Sequence, residues 1–305
     1  MKKILRLIII IFLIVMLKSN ISYGISKDEN SLEKVTIKRD LLVIMLSYED
    51  LIKDIEKSED GIIYLVTKNG KKIVYDDNKV KSYDSKLVNG DLQDTLEILY
   101  PLVSIDKVMD ENIDPGRIRS YSFLEAIYGN SKEEIEKTLT YLPTYYGDIL
   151  FNKLGSENLK NVFDEIKNSI NRNSRISGYI TPISGTYNYR VIQDTGRLSP
   201  HAYGIAIDLH RNDADYWKWV DKEVGSKRIA SYPKEIVKAF ENNGFVWGGK
   251  WEHFDILHFE YRPEIILKSK YFGSIENKEL ENWYDGVPIN ENSNRIIDLI
   301  NSKDL

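Results

Sequence analysis

The chain has 305 residues, of which 42% are hydrophobic and 29% charged, and a formal net charge of −5. That length leaves room for about two folded domains with a real core. The acidic balance, with no basic patch carrying interleaved aromatics, argues against nucleic-acid binding. The absence of cysteine excludes a disulfide framework, a lipid-modified cysteine and any thiolate metal ligand.

Lys2, Lys3 and Arg6 precede an unbroken apolar run from Leu7 to Leu17, and Ser22-Tyr-Gly24 supplies small residues after it. A positive start, a short apolar centre and a small-residue cut site predict a secretory signal peptide over residues 1–24. The run is shorter than the roughly 20 residues a spanning helix needs, so a membrane anchor is the alternative. The expected location is secreted or extracytoplasmic.

Residues 25–115 read as a small α+β region of unassigned role. Residues 36–46 have no clean period and suit a buried strand or a helix start. Two β-branched and aromatic runs flank Asn69-Gly70, which predicts a hairpin. Residues 91–99 predict a helix ending at Tyr100-Pro101. Asp114-Pro-Gly116-Arg-Ile-Arg119 is a turn and a domain boundary, and its two arginines are expected to be solvated.

Ser131 and Glu134 form a capping-box pattern for another helix. Residues 156–173 predict a further helix, with Leu159, Val162, Phe163, Ile166 and Ile170 as its core stripe. From Ile176 the texture becomes short strands and turns, at residues 176–180, 187–190 and 204–208. A brief helix is expected over 213–221 and a longer one over 233–243, stopped by Gly244. Residues 283–288 form a closing turn, and 289–305 a short helix or loose tail.

All four histidines, at 201, 210, 253 and 258, fall in two stretches. The first is Ser199-Pro-His201-Ala-Tyr-Gly204-Ile-Ala-Ile-Asp208. Read as a strand, its end puts Ile205 and Ile207 on a core face, and Gly204, Ala206 and Asp208 on the other. The small residues there would leave room for a metal and a substrate backbone. The second is Trp251-Glu-His253-Phe-Asp255-Ile-Leu-His258. Residues three apart on a strand face opposite ways, so Asp255 belongs to the loop entering the strand and His258 to its first inward position. His201, Asp208 and His258 are the candidate ligands of one zinc ion, and Asp255 the candidate general base. Three protein ligands and a water form the usual catalytic zinc arrangement. His253 is the rival ligand and Glu252 the rival base.

These motifs closely resemble the zinc peptidases of the VanY-like D-alanyl-D-alanine carboxypeptidase family, which includes L-alanyl-D-glutamate endopeptidases. The shared pattern is Ser-x-His, then Gly-x-Ala-x-Asp, then an acid three residues before a final histidine. The resemblance implies zinc on His201, Asp208 and His258, catalysis by Asp255, and an upstream arginine that binds substrate. Arg190 best fits that arginine, with Arg197 as the alternative. Ser199 and Tyr203 are further substrate-binding candidates, while Trp251 is expected to be core. An aspartate base sits closer to the endopeptidase branch than to the carboxypeptidases.

The expected fold class is α+β. A zinc peptidase domain, residues 116–288 with its motif core at 176–263, has a small antiparallel sheet flanked by helices. The 25–115 region precedes it, either packing beside the catalytic unit or restricting its cleft, and a tail over 289–305 follows. The implied partner is a peptidoglycan stem peptide, cut at a terminal D-alanine or at an internal L-alanyl-D-glutamate bond. The alternatives are a non-catalytic zinc-containing cell-wall binding domain on the same fold, and a metal-free adhesion protein. The oligomeric state is left open.

Overall fold

A computed structural model describes residues 31–170, 173–193, 195–273 and 280–305, so the leader read over residues 1–24 lies outside it. The first element, α1, is a helix over residues 31–47. Leu41, Leu42, Val43, Ile44 and Met45 are all at most 1% exposed. A helix buried on every side carries no polar face and therefore no 3.6-residue period. That resolves the ambiguity of residues 36–46.

Three antiparallel strands follow, β1 (Ile52–Lys57), β2 (Ile63–Thr67) and β3 (Lys72–Val74), in the order β1-β2-β3. The β2–β3 turn falls at the predicted Asn69-Gly70, closed by Gly70 N–H donating to the Thr67 carbonyl at 2.9 Å. After α2 (Tyr83–Asn89), the helix expected over 91–99 is only α3 (Leu92–Leu96), opened by reciprocal capping between Asp91 and Asp94. Then come α4 (Tyr121–Tyr128) and α5 (Lys132–Lys137). Ser131 caps α5 by accepting from Glu134 N–H, while the Glu134 carboxylate answers one residue earlier than in a capping box, at Asn130 N–H.

A hairpin of β4 (Leu139–Thr144) and β5 (Gly147–Asn152) leads into α6 (Lys153–Ile170). Leu159, Val162, Phe163 and Ile166 of α6 are buried as the expected stripe. Three expectations fail beyond it. Residues 187–190 form no strand. Residues 176–180 are not a strand, because Ser174–Tyr179 winds into a 3-10 turn capped by the Asn173 side chain. Residues 213–221 are turns and not a helix. There the buried Asp215 carboxylate accepts from Asn212 N–H and Arg228 Nε, each at 2.7 Å. Helix α7 (Lys222–Ser231) begins only after Asp221, which caps it.

The remaining elements are β6 (Ala206–Asp208), α8 (Lys234–Asn242), β7 (Phe245–Trp247), β8 (His258–Tyr261), α9 (Pro263–Phe272) and α10 (Glu291–Asn301). The C-terminal sheet is antiparallel with β8 in the middle, in the order β6-β8-β7. Phe259 points from β8 to α8, where it stacks on Phe240 with ring centres 3.8 Å apart. His258 and Glu260, two residues apart on β8, share the opposite face.

The fold is α+β, and one apolar core runs from Val35 to Leu305. Buried polar contacts tie its early and late segments together. Lys268 pairs with Asp40 at 2.6 Å, and the hydroxyls of Tyr48 and Tyr100 donate to Glu264 and Glu241 at 2.9 and 2.6 Å. Residues 291–301 are no loose tail, since Ile296 and Ile300 of α10 are fully buried. No helix among the described residues is long and apolar enough to cross a membrane.

Candidate active site

Strand register makes the site. Asp208, the last residue of β6, lies directly opposite His258, the first of β8. Directly opposed residues hold their Cβ atoms roughly 4.5–5.5 Å apart on one face. His258 Nδ1 is 2.9 Å from Asp208 Oδ1. His201 arrives from a short 3-10 turn, Pro200–Tyr203, ended by Gly204 in the left-handed region at φ 68°. Its Nε2 lies 3.2 Å from the same Asp208 oxygen. One donor atom from each residue falls within a 4.8 Å cluster.

This donor set fits a zinc ion. His201 Nδ1 is 2.7 Å from the Thr186 carbonyl, which fixes a proton there and leaves the Nε2 lone pair for a metal. Burial of Asp208 is outweighed by its bonds to His201 and His258, which hold its carboxyl well below the usual range. Burial of His258 is likewise outweighed by Asp208, Glu260 and Asp255, which push its pKa up to about 10. The pocket therefore favours a positive charge between these side chains. Asp208 keeps 24% of its side chain exposed, the open side of the cluster.

Gly185 forms the floor of the cluster. It bridges to Asp208 on the side of β6 away from β8, and a Cβ there would stand 3.3 Å from Asp208 Oδ2 and 3.7 Å from His201 Cε1. Of the small-residue floor expected at Gly204 and Ala206, only Ala206 shares the Asp208 face of β6. Gly204 turns the chain against β5, where a Cβ would meet Leu139 at 2.5 Å. Ala206 faces Glu260 across the strands.

Asp255 opens a tight turn over residues 255–258, in which His258 N–H donates to the Asp255 carbonyl at 3.1 Å. Tyr216 bridges to Asp255 from the other side. Burial pushes the Asp255 carboxyl up to about 7, helped by Asp208 and Asp215 and opposed by His258 and Arg117. A half-buried carboxyl beside three candidate ligands, with its pKa moved toward neutrality, is suited to proton transfer.

The other expected site residues fall elsewhere. Ser199 is buried and uses its hydroxyl to cap the 3-10 turn, accepting from His201 N–H at 3.3 Å. Tyr203 is fully buried with its ring 6.2 Å from that of Tyr128, which makes it core and not a substrate contact. Trp251, expected in the core, has its ring centre 5.7 Å from that of His258. Arg190 is exposed on the segment whose carbonyl accepts from Ser199 N–H. Arg197 bonds Asn89 and covers Tyr121.

His253 and Glu252 stand apart from the cluster. His253 Nδ1 is 2.7 Å from Asp114 and stacks with Tyr83, while Glu252 pairs with Lys222 at 2.7 Å. Arg117 adds its charge to Asp114 at 3.4 Å, so this second group of acids is already neutralised. The arginines of the 114–119 turn are therefore not solvated. Arg119 is buried against Glu260, and Arg117 is held by the Tyr83 hydroxyl at 2.7 Å.

Residues 193–261 match a family model described as D-alanyl-D-alanine carboxypeptidase. The matched segment contains His201, Asp208, Asp255 and His258, and the match supports a peptidase. Arg190, Gly185 and the arginines of the 114–119 turn lie outside it. No solved structure matches the chain.

Proposed function

We propose that the chain is an exported zinc peptidase that hydrolyses the stem peptides of peptidoglycan. The observation that carries this reading is the cross-strand pairing of Asp208 with His258, completed by His201 at the same oxygen and by Asp255 one turn away. Zinc held by His201, Asp208 and His258 would lower the pKa of a water and polarise the scissile carbonyl. Asp255 takes the proton of the attacking water and passes it to the leaving amine.

Two arginines support an anionic peptide as substrate. Burial raises the pKa of the Tyr216 phenol and the charges of Arg117 and Arg190 oppose that, while the Tyr216 backbone bridges to Asp255. The leader pattern in residues 1–24 supports export. Digestion of purified muropeptides, read by mass spectrometry, tests the reading. Release of terminal D-alanine or cleavage after L-alanine supports it and names the bond, whereas intact muropeptides with a zinc-loaded protein contradict it.

A further inference from the structure

The turn over residues 114–119 lies outside the matched segment, yet it touches that segment, and Arg262 just after it, at successive positions. Asp114 accepts from His253 N–H at 3.0 Å. The Pro115 carbonyl accepts from Trp251 Nε1 at 2.7 Å, and the Gly116 carbonyl from Arg262 at 3.1 Å. Arg119 then reaches Glu260, with Nε 3.0 and 3.2 Å from its two oxygens and one terminal nitrogen at 2.6 Å. Glu260 is fully desolvated, and its Oε2 is 3.6 Å from His258 Nε2. Glu260 and His258 share one face of β8, and the Ala206 opposite Glu260 leaves that face open for a guanidinium.

We propose that Arg119, acting through Glu260, is the positioning residue for the metal-facing nitrogen of His258. The proposal rests on the zinc reading above. Glu260, at ion-pair distance from Nε2, favours the ring orientation and tautomer that leave the Nδ1 lone pair toward Asp208 and His201. Carboxylates placed this way behind a histidine ligand orient the ring and raise its basicity. The forked contact of Arg119 fixes the carboxylate in the plane this requires, a task a lysine performs less well. Arg262, 3.3 Å from Oε1, supports the other oxygen. The 114–119 turn is thus a strap that connects the early part of the chain to the third ligand.

The test is a titration of the zinc-loaded, full-length protein with a chromophoric chelator, repeated with cobalt in place of zinc to read the visible ligand-field bands. Arg119→Met and Glu260→Gln should release zinc about 10–100-fold more readily and shift the cobalt bands. Arg119→Lys should recover part of the loss. Ile300→Ala, which weakens a distant part of the core, should lower thermal stability without moving zinc affinity or the cobalt spectrum. If Arg119→Met does not fold, Glu260→Gln and Arg119→Lys give the same comparison. Folded variants that hold zinc as tightly as the parent, with unchanged cobalt bands, overturn the proposal. A parent that binds no zinc overturns the proposed function first, a result distinct from parent and variants binding equally.

Discussion

Asp255 is placed where burial, Asp208 and Asp215 all favour its proton, and its pKa moves up to about 7. A general base works only when deprotonated, so turnover should rise with pH through this group. A bound cation favours the carboxylate and lowers that point. The acid limb of kcat is therefore expected between the ordinary 3.8 and about 7, and a pH–rate profile reads it directly. Asp255→Asn should keep its metal and lose turnover by about 10²–10⁴-fold. Full activity in that variant would remove Asp255 from the mechanism. Gly185→Val should crowd Asp208 and His201, because even the first carbon of the side chain stands 3.3 Å from a ligand oxygen. Loss of zinc affinity exceeding any loss of thermal stability is the expected pattern.

At this scale the sequence shows the candidate ligands, because four scarce histidines cluster in two stretches and the family resemblance points to His201, Asp208 and His258 among them. It does not show what supports them. Glu260 was within reach, since the same period puts it on the face of His258. Arg119 was not, because its partner is 141 positions away and a charged residue after a Pro-Gly turn reads as solvated. Ser199 and Tyr203 sit inside the motif, but their side chains cap and fill the turn that carries His201.

Among the elements, those with one wet face were legible and those without were not. Helices α6 and α8 show their stripes and were located to within a few residues. Helix α1 is buried all round only over residues 39–45, and that stretch gave no period. The β4–β5 hairpin carries Pro143, which weakens a strand pattern, although a two-stranded ribbon tolerates proline at its edges. Helix α10 was left undecided because only Ile296, Ile297 and Ile300 mark its inner face. It nevertheless belongs to the core. Ile300→Ala should cost about 2–5 kcal/mol of stability, measured by denaturant unfolding. A cost near zero would mean that α10 only lies on the surface.

Over the whole molecule, the early α+β region and the family segment share one core. The buried Tyr100–Glu241 contact bridges the two, and Asp40–Lys268 and Tyr48–Glu264 tie the early region to α9 just after the segment; removing one partner of a buried charged contact leaves the other uncompensated. A fragment of residues 120–305 is therefore expected to lack a cooperative unfolding transition, while the full chain shows one. A fragment that unfolds cooperatively and binds zinc would show that the early region is dispensable. Expectations drawn from motifs end at residue 176, so this dependence came only from the packing.

The account rests on one zinc ion held by His201, Asp208 and His258. Its most direct test is metal analysis of the purified protein together with muropeptide hydrolysis before and after chelation. The account predicts one zinc per chain, its loss in His258→Ala, and activity that disappears with chelator and returns with added zinc. A metal-free protein that still cleaves muropeptides in the presence of chelator would contradict it.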